Sequence, residues 1–244
     1  MKSFIVVDLE TTGLQPEQDH IIEIGALKYV DGVCVGEFSR LVKPPVSISN
    51  RISQITGIDD EMVENAPGIK TVMEEFLLFA GEEACFLGHN VRFDLSFLKV
   101  QMLQMKRSFP VKSLDTLVLA RKFLKELPKK DLQTVSTYYG IVNERAHRAL
   151  EDAKTTALVY FSIKKQFGEQ EPEAFVPKEI QLKVKKAEPI TWKQKNYLID
   201  LLKYHKIQGE TIFGEGDKEI DALTKSEASK IIDRIILSYG KINR

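Results

Sequence analysis

A chain of 244 residues can bury roughly 70% of the surface its unfolded form exposes, enough for one large domain or a medium domain with an appendage. Its 43% hydrophobic and 29% charged residues exclude a disordered chain, a collagen-like fibre and a coiled coil. Thirty-five basic residues offset thirty-five acidic ones, so composition alone supplies no global field that would draw in nucleic acid.

The charge divides modestly along the chain, with fourteen Lys/Arg against ten Asp/Glu from Lys178 onward, a net of +4 against −4 for the rest. No apolar run approaches the ~18 residues that span a bilayer, and Phe4-Ile5-Val6-Val7 is stopped by Asp8 before it can serve as a signal-peptide core. The expected location is cytoplasmic, with no membrane partner. Cys34 and Cys85 form no CxxC and have no neighbouring His cluster, so they read as core thiols rather than zinc ligands or a disulfide framework.

Residues 3 to 9 read as a buried strand, since four consecutive apolar residues leave no polar face. A second strand at about 20 to 30 and a third at about 33 to 42 flank Asp31-Gly32, the preferred two-residue hairpin turn, and should be antiparallel. From about 68 to 80 the period changes: Val72, Met73, Phe76, Leu77 and Ala80 recur at helical spacing, and Gly81 stands where a C-terminal cap belongs. Ala84 to Gly88 is a short strand-like run, followed by a helical pattern carrying Phe93, Phe97, Leu98, Val100 and Met102. Further helices are predicted at about 114 to 125, 131 to 139 and 148 to 167. This order gives an α/β fold: a mixed sheet with an antiparallel hairpin and a parallel portion, covered by helices.

Between 169 and 190 the pattern dissolves into Pro172, Pro177, Pro189 and mixed charges, the composition of a linker. Beyond it, Thr191 with Gln194 and Thr224 with Glu227 are capping boxes, the second with Leu223 and Ala228 as a hydrophobic staple. The expected organisation is a domain over 1 to 168, a linker over 169 to 190 and a small helical hairpin module over 191 to 244.

Asp8 and Glu10 lie at i and i+2 on the first strand, so both carboxylates point to one face at its end. After so apolar a strand, ionised carboxylates call for compensation by a divalent cation or for a strand end open to water. Asp94 follows Asn90, a predicted N-cap, by one helical turn, and either faces the sheet edge or complements the helix dipole. His147 and Asp152 would sit about 140° apart on a continuous helix. They converge only if His147 lies on the approach loop; otherwise both are surface groups.

Taken in order, Asp8-Leu-Glu-Thr-Thr-Gly-Leu14, Ile55-Thr-Gly-Ile58, His89-Asn-Val-Arg-Phe-Asp94 with Phe97-Leu98, Leu114-Asp-Thr-Leu117 and His147-Arg-Ala-Leu-Glu-Asp-Ala153 resemble the DEDDh 3′-5′ exonucleases. That family is typified by the proofreading epsilon subunit of bacterial DNA polymerase III and the exonuclease part of PolC. The resemblance covers about residues 3 to 168 and implies a ribonuclease-H-like fold. It also implies that Asp8, Glu10, Asp94 and Asp152 hold two Mg²⁺ or Mn²⁺ ions and that His147 is the general base. His five before the last Asp, rather than Tyr four before it, selects this branch.

By the same resemblance Thr11 and Thr12 meet the terminal nucleotide, and Asn90 is a candidate substrate contact. The implied function is removal of nucleotides from the 3′ end of nucleic acid, single-stranded DNA favoured over RNA, with a DNA polymerase or repair partner. The alternatives are an exoribonuclease of the same family and a non-catalytic nucleic-acid-binding protein acting through its C-terminal helices. Those helices differ from the polymerase-binding tail of an epsilon subunit. Trp192, Lys193, Lys195, Tyr197 and Lys203 either hold single strands by stacking and charge or decorate a packed hairpin.

Overall fold

The computed structural model describes residues 2–81, 85–109, 111–143, 146–182, 188–207 and 220–242. The chain divides into two compact units, Met1–Val184 and Lys185–Arg244.

In the first unit, strands β1 (Ser3–Thr11), β2 (Ile21–Val30), β3 (Val33–Leu41), β4 (Cys85–Gly88), β5 (Lys112–Asp115) and β6 (Lys178–Glu179) form a mixed sheet in the order β3-β2-β1-β4-β5-β6. β1 runs antiparallel to β2 and parallel to β4, β4 is parallel to β5, and β6 closes the edge antiparallel to β5. The apolar run at the start of β1 follows from this central position, with no strand edge left for water. The hairpin turn is the one the sequence predicts: Asp31 and Gly32 both adopt left-handed backbone, at φ 47° and 83°, as a two-residue turn of this hand requires.

Alternation along β1 sorts its side chains into two cores. Ile5, Val7 and Leu9 pack with helices α3 (Ile69–Ala80) and α4 (Arg92–Gln104); Phe4 and Val6 pack with α5 (Thr116–Phe123), α6 (Leu132–Tyr138) and α7 (Ala149–Phe167). Two short helices, α1 (Asn50–Thr56) and α2 (Asp60–Val63), are capped by the side chains of Ser49 and Asp59. By the period-2 rule Asp8 and Glu10 continue the Phe4 and Val6 row, so they leave the strand on the face that α7 covers.

α7 presses on β2 without an intervening side chain. A Cβ at Gly25 would lie 2.1 Å from the Ala149 carbonyl carbon, which is backbone and cannot rotate away. Gly25→Ala is therefore expected to cost about 1 to 3 kcal/mol through overpacking. Denaturant unfolding of the two proteins checks this, and an unchanged midpoint would contradict the contact.

Three expectations are corrected. The stretch from 169, expected to be linker, packs on the first unit as far as it is described. Phe175 is buried against Phe123 and Tyr160, β6 pairs with β5, and Ile180 and Leu182 join a core. Apolar residues between the prolines find the open edge of β5; residues 183 to 187 lie outside the described part. Cys34 is exposed rather than a core thiol, because β3 is an edge strand; Cys85 is half-buried. Asn90 is not a side-chain N-cap: it sits in left-handed backbone at φ 67°, and Val91 takes the cap position with no side-chain bond.

In the second unit, α8 (Trp192–Tyr204) and α9 (Lys225–Tyr239) open on the expected capping boxes. They bury Leu198, Leu201, Leu223, Ala228, Ile232 and Ile235 together, while Trp192 is left 75% exposed. Among the described residues no helix is long and apolar enough to cross a membrane.

Candidate active site

At the carboxyl end of β1, Asp8 is half-buried and Glu10 is buried. Asp94, in the first turn of α4 and also buried, accepts a hydrogen bond from the Leu9 main-chain N–H at 3.0 Å. That bond ties the helix start to the strand between the two acidic residues. Asp152, in the first turn of α7, accepts from the His147 N–H at 3.0 Å and from the Asn143 side-chain amide at 2.6 Å. His147 lies before the helix, exposed and in left-handed backbone at φ 65°. The loop position required for convergence with Asp152 is thus the one it occupies, and one ligand atom each from Glu10, His147 and Asp152 lie within 4.8 Å of one another.

The remaining acids act on one another as members of the same cluster. Burial first, then the carboxylates of Asp94, Asp152, Glu10 and Glu23, push the Asp8 carboxyl well above the usual carboxylate range. Burial, with Asp152 and Glu23 beside it, pushes Glu10 up to about 8, against the pull of Arg148. Asp94 is raised by burial despite its backbone hydrogen bonds, and Asp152 by burial despite those from His147 and Asn143. Among the described residues no Lys or Arg forms an ion pair with any of the four, and Arg148 is engaged by Glu23. Four crowded carboxylates, short of positive charge, are an oxygen-donor set of the kind that could hold a hard divalent cation. The residues fit such an ion.

The expected substrate contacts are placed less directly. The Thr11 hydroxyl donates to the Gly13 carbonyl at 2.6 Å, and the Thr12 hydroxyl oxygen accepts from the His20 N–H at 2.9 Å. Both hydroxyls thus build the turn after β1, in which Leu14 is left 81% exposed. Asn90 lines an open cavity of about 540 Å³ with His89, Leu117, Arg121 and Lys130 among its walls. There His89 donates from Nε2 to the Lys130 carbonyl at 2.7 Å, contacts the Thr116 hydroxyl at 2.9 Å and has its pKa lowered by burial. Asp115 accepts from the Asn90 and Leu117 N–H groups.

Sequence reasoning passes over two residues that the structure brings to the cluster, Glu23 and Arg148. Glu23 carries the one available signal, an acid inside the otherwise apolar run that becomes β2.

Known proteins resemble this chain in sequence and fold. An exonuclease family model, RNase T, matches residues 5–160. A PolC-type DNA polymerase III from Thermotoga petrophila is 45% identical over 163 residues, 65% of this chain and 12% of that protein. The DNA polymerase III epsilon subunit of Aquifex aeolicus is 36% identical over 162 residues, 66% of this chain and 80% of that protein. This chain therefore spans only a small part of the PolC relative. Exonuclease X, solved in complex with 5′ overhanging duplex DNA, superposes with a TM-score of 0.56 at 28% identity, over 68% of this chain and 93% of that one. The mixed sheet flanked by helices is thus a ribonuclease-H-like exonuclease fold, and the chain belongs to the exonuclease family of that model, in its DEDDh 3′-5′ branch.

Proposed function

We propose that the protein is a 3′-5′ exonuclease that hydrolyses the terminal phosphodiester of single-stranded DNA and releases nucleoside 5′-monophosphates, in proofreading or repair. The observation that carries this reading is the meeting of Glu10, Asp152 and His147 within 4.8 Å in a cluster whose charge Asp8 and Asp94 complete.

Asp8, Glu10, Asp94 and Asp152 are the residues that would hold two cations, Mg²⁺ or Mn²⁺. Bound there, such ions supply an acidified water and relieve charge on the leaving 3′ oxygen. The His147 imidazole, open to solvent at the rim, takes the water's proton as its oxygen attacks phosphorus and then returns it to bulk. The P–O3′ bond breaks on the opposite side, and the released O3′ takes a proton from solvent, leaving a new 3′ hydroxyl on the shortened strand. Leu14 offers an exposed apolar surface for the terminal base, and the turn fixed by Thr11 and Thr12 sets where that surface stands.

DNA is favoured over RNA because the curated relatives above are named as DNA polymerase components and the Exonuclease X structure contains DNA. The same names favour a polymerase or repair partner. The purified protein with Mg²⁺ should turn a 5′-labelled DNA strand into a ladder of products shortened from the 3′ end, and matched RNA more slowly. No products in Mg²⁺ or Mn²⁺ would refute the activity; faster digestion of RNA would reverse the substrate assignment.

A further inference from the structure

Glu10 faces Glu23 directly across the β1–β2 ladder, a like-charge pairing that ordinarily destabilises a sheet. Glu23 is 1% exposed, and a buried carboxylate persists only when paired and hydrogen-bonded. Its partners all belong to the start of α7. Arg148 donates from Nη2 at 2.8 Å and from Nε at 3.1 Å, and the Ala149 main-chain N–H donates at 3.0 Å. Arg148 is the N-cap residue of α7 yet caps nothing with its own side chain. Glu23, from a strand more than a hundred residues earlier, supplies the cap and grips the guanidinium at once.

Arg148 directly follows His147. The loop that presents the imidazole is therefore held on both sides, by Asp152 at the His147 N–H and by Glu23 at the two residues that follow. A non-glycine residue in left-handed backbone is strained and persists only when its surroundings over-determine it. These two carboxylates supply that constraint, and the backbone contact at Gly25 blocks movement of α7 toward the sheet.

We infer that Glu23 is a positioning residue for the hydrolytic step, holding His147 in its working place through Arg148 and the first turn of α7. The inference rests on the general-base reading of His147. It is tested with the full-length protein and Mg²⁺ on a 5′-labelled DNA strand, with Glu23→Gln measured alone and in a His147→Ala background. Glu23→Gln should lower kcat about 10- to 100-fold, the usual loss when the support of a working side chain is removed, with KM within about twofold. In the His147→Ala background it should cost nothing further, because no imidazole is left to position; such non-additivity reports coupling. Arg148→Gln, which leaves Glu23 to cap Ala149, should behave the same way and covers the case in which Glu23→Gln fails to fold. An equal penalty in both backgrounds, or none in either, overturns the inference. Undiminished kcat for His147→Ala by itself overturns the general-base reading, and the role of Glu23 with it.

Discussion

Replacing His147 with Ala is expected to lower kcat on a 5′-labelled single strand about 10²- to 10⁴-fold, the range for a lost general base, while the Kd for that strand stays unchanged. His147 is exposed on a loop and belongs to neither core of the first unit, so its removal leaves the core intact. The left-handed backbone at this position adds a control. Asn adopts that conformation more readily than other non-glycine residues, so His147→Asn should keep the loop and still lose as much activity as Ala. Steady-state kinetics with strand binding by fluorescence anisotropy separates the two effects. Recovery of activity in the Asn variant would place the loss in the backbone rather than in proton transfer.

The second large effect concerns the carboxylates when no cation is bound. Burial and neighbouring acids hold Glu10 at about 8 in the folded protein against 4.5 for the isolated group, so the folded state binds more protons than the unfolded state. That contribution to stability is fully present below pH 4.5 and is lost as pH rises through about 8. Asp8, Asp94 and Asp152 are shifted in the same direction. Chelator-treated protein should therefore melt at a lower temperature at pH 8.5 than at pH 6. Mg²⁺ or Mn²⁺, which binds the ionised carboxylates, should restore the difference, with the larger gain at the higher pH.

Asp8→Asn removes one of the repelling charges. It should raise the melting temperature of the chelator-treated protein at pH 8, because a buried carboxylate without a positive partner costs stability, while abolishing activity and the thermal response to Mn²⁺. Destabilisation by Asp8→Asn under chelation would show that the carboxylates are already compensated within the protein and need no ion.

Much of the frame is legible in residue order because it depends on neighbours in sequence. The apolar run of β1, the Asp31-Gly32 turn and the capping boxes at Thr191 and Thr224 are local signals, and each element forms where its signal stands. The shorter pieces escape for the opposite reason. β6 exists because β5 has an open edge, and α1 and α2 are a few residues long, held by the caps at Ser49 and Asp59 rather than by apolar periodicity. Spacing puts Asp8 and Glu10 on one face of a strand, but it does not say that α7 will cover that face. The convergence with Asp94 and Asp152 was therefore legible through family resemblance and not through periodicity. Glu23 stayed hidden because its partners, Arg148 and Ala149, are brought to it only by the packing of α7 against Gly25.

Crystals of the full chain grown with Mn²⁺ and measured for anomalous scattering test most directly whether the four acids hold a metal pair beside His147. Two peaks enclosed by Asp8, Glu10, Asp94 and Asp152, with the His147 imidazole facing them, are the predicted result. A cluster without peaks at saturating Mn²⁺, or manganese bound only elsewhere on the protein, would contradict it.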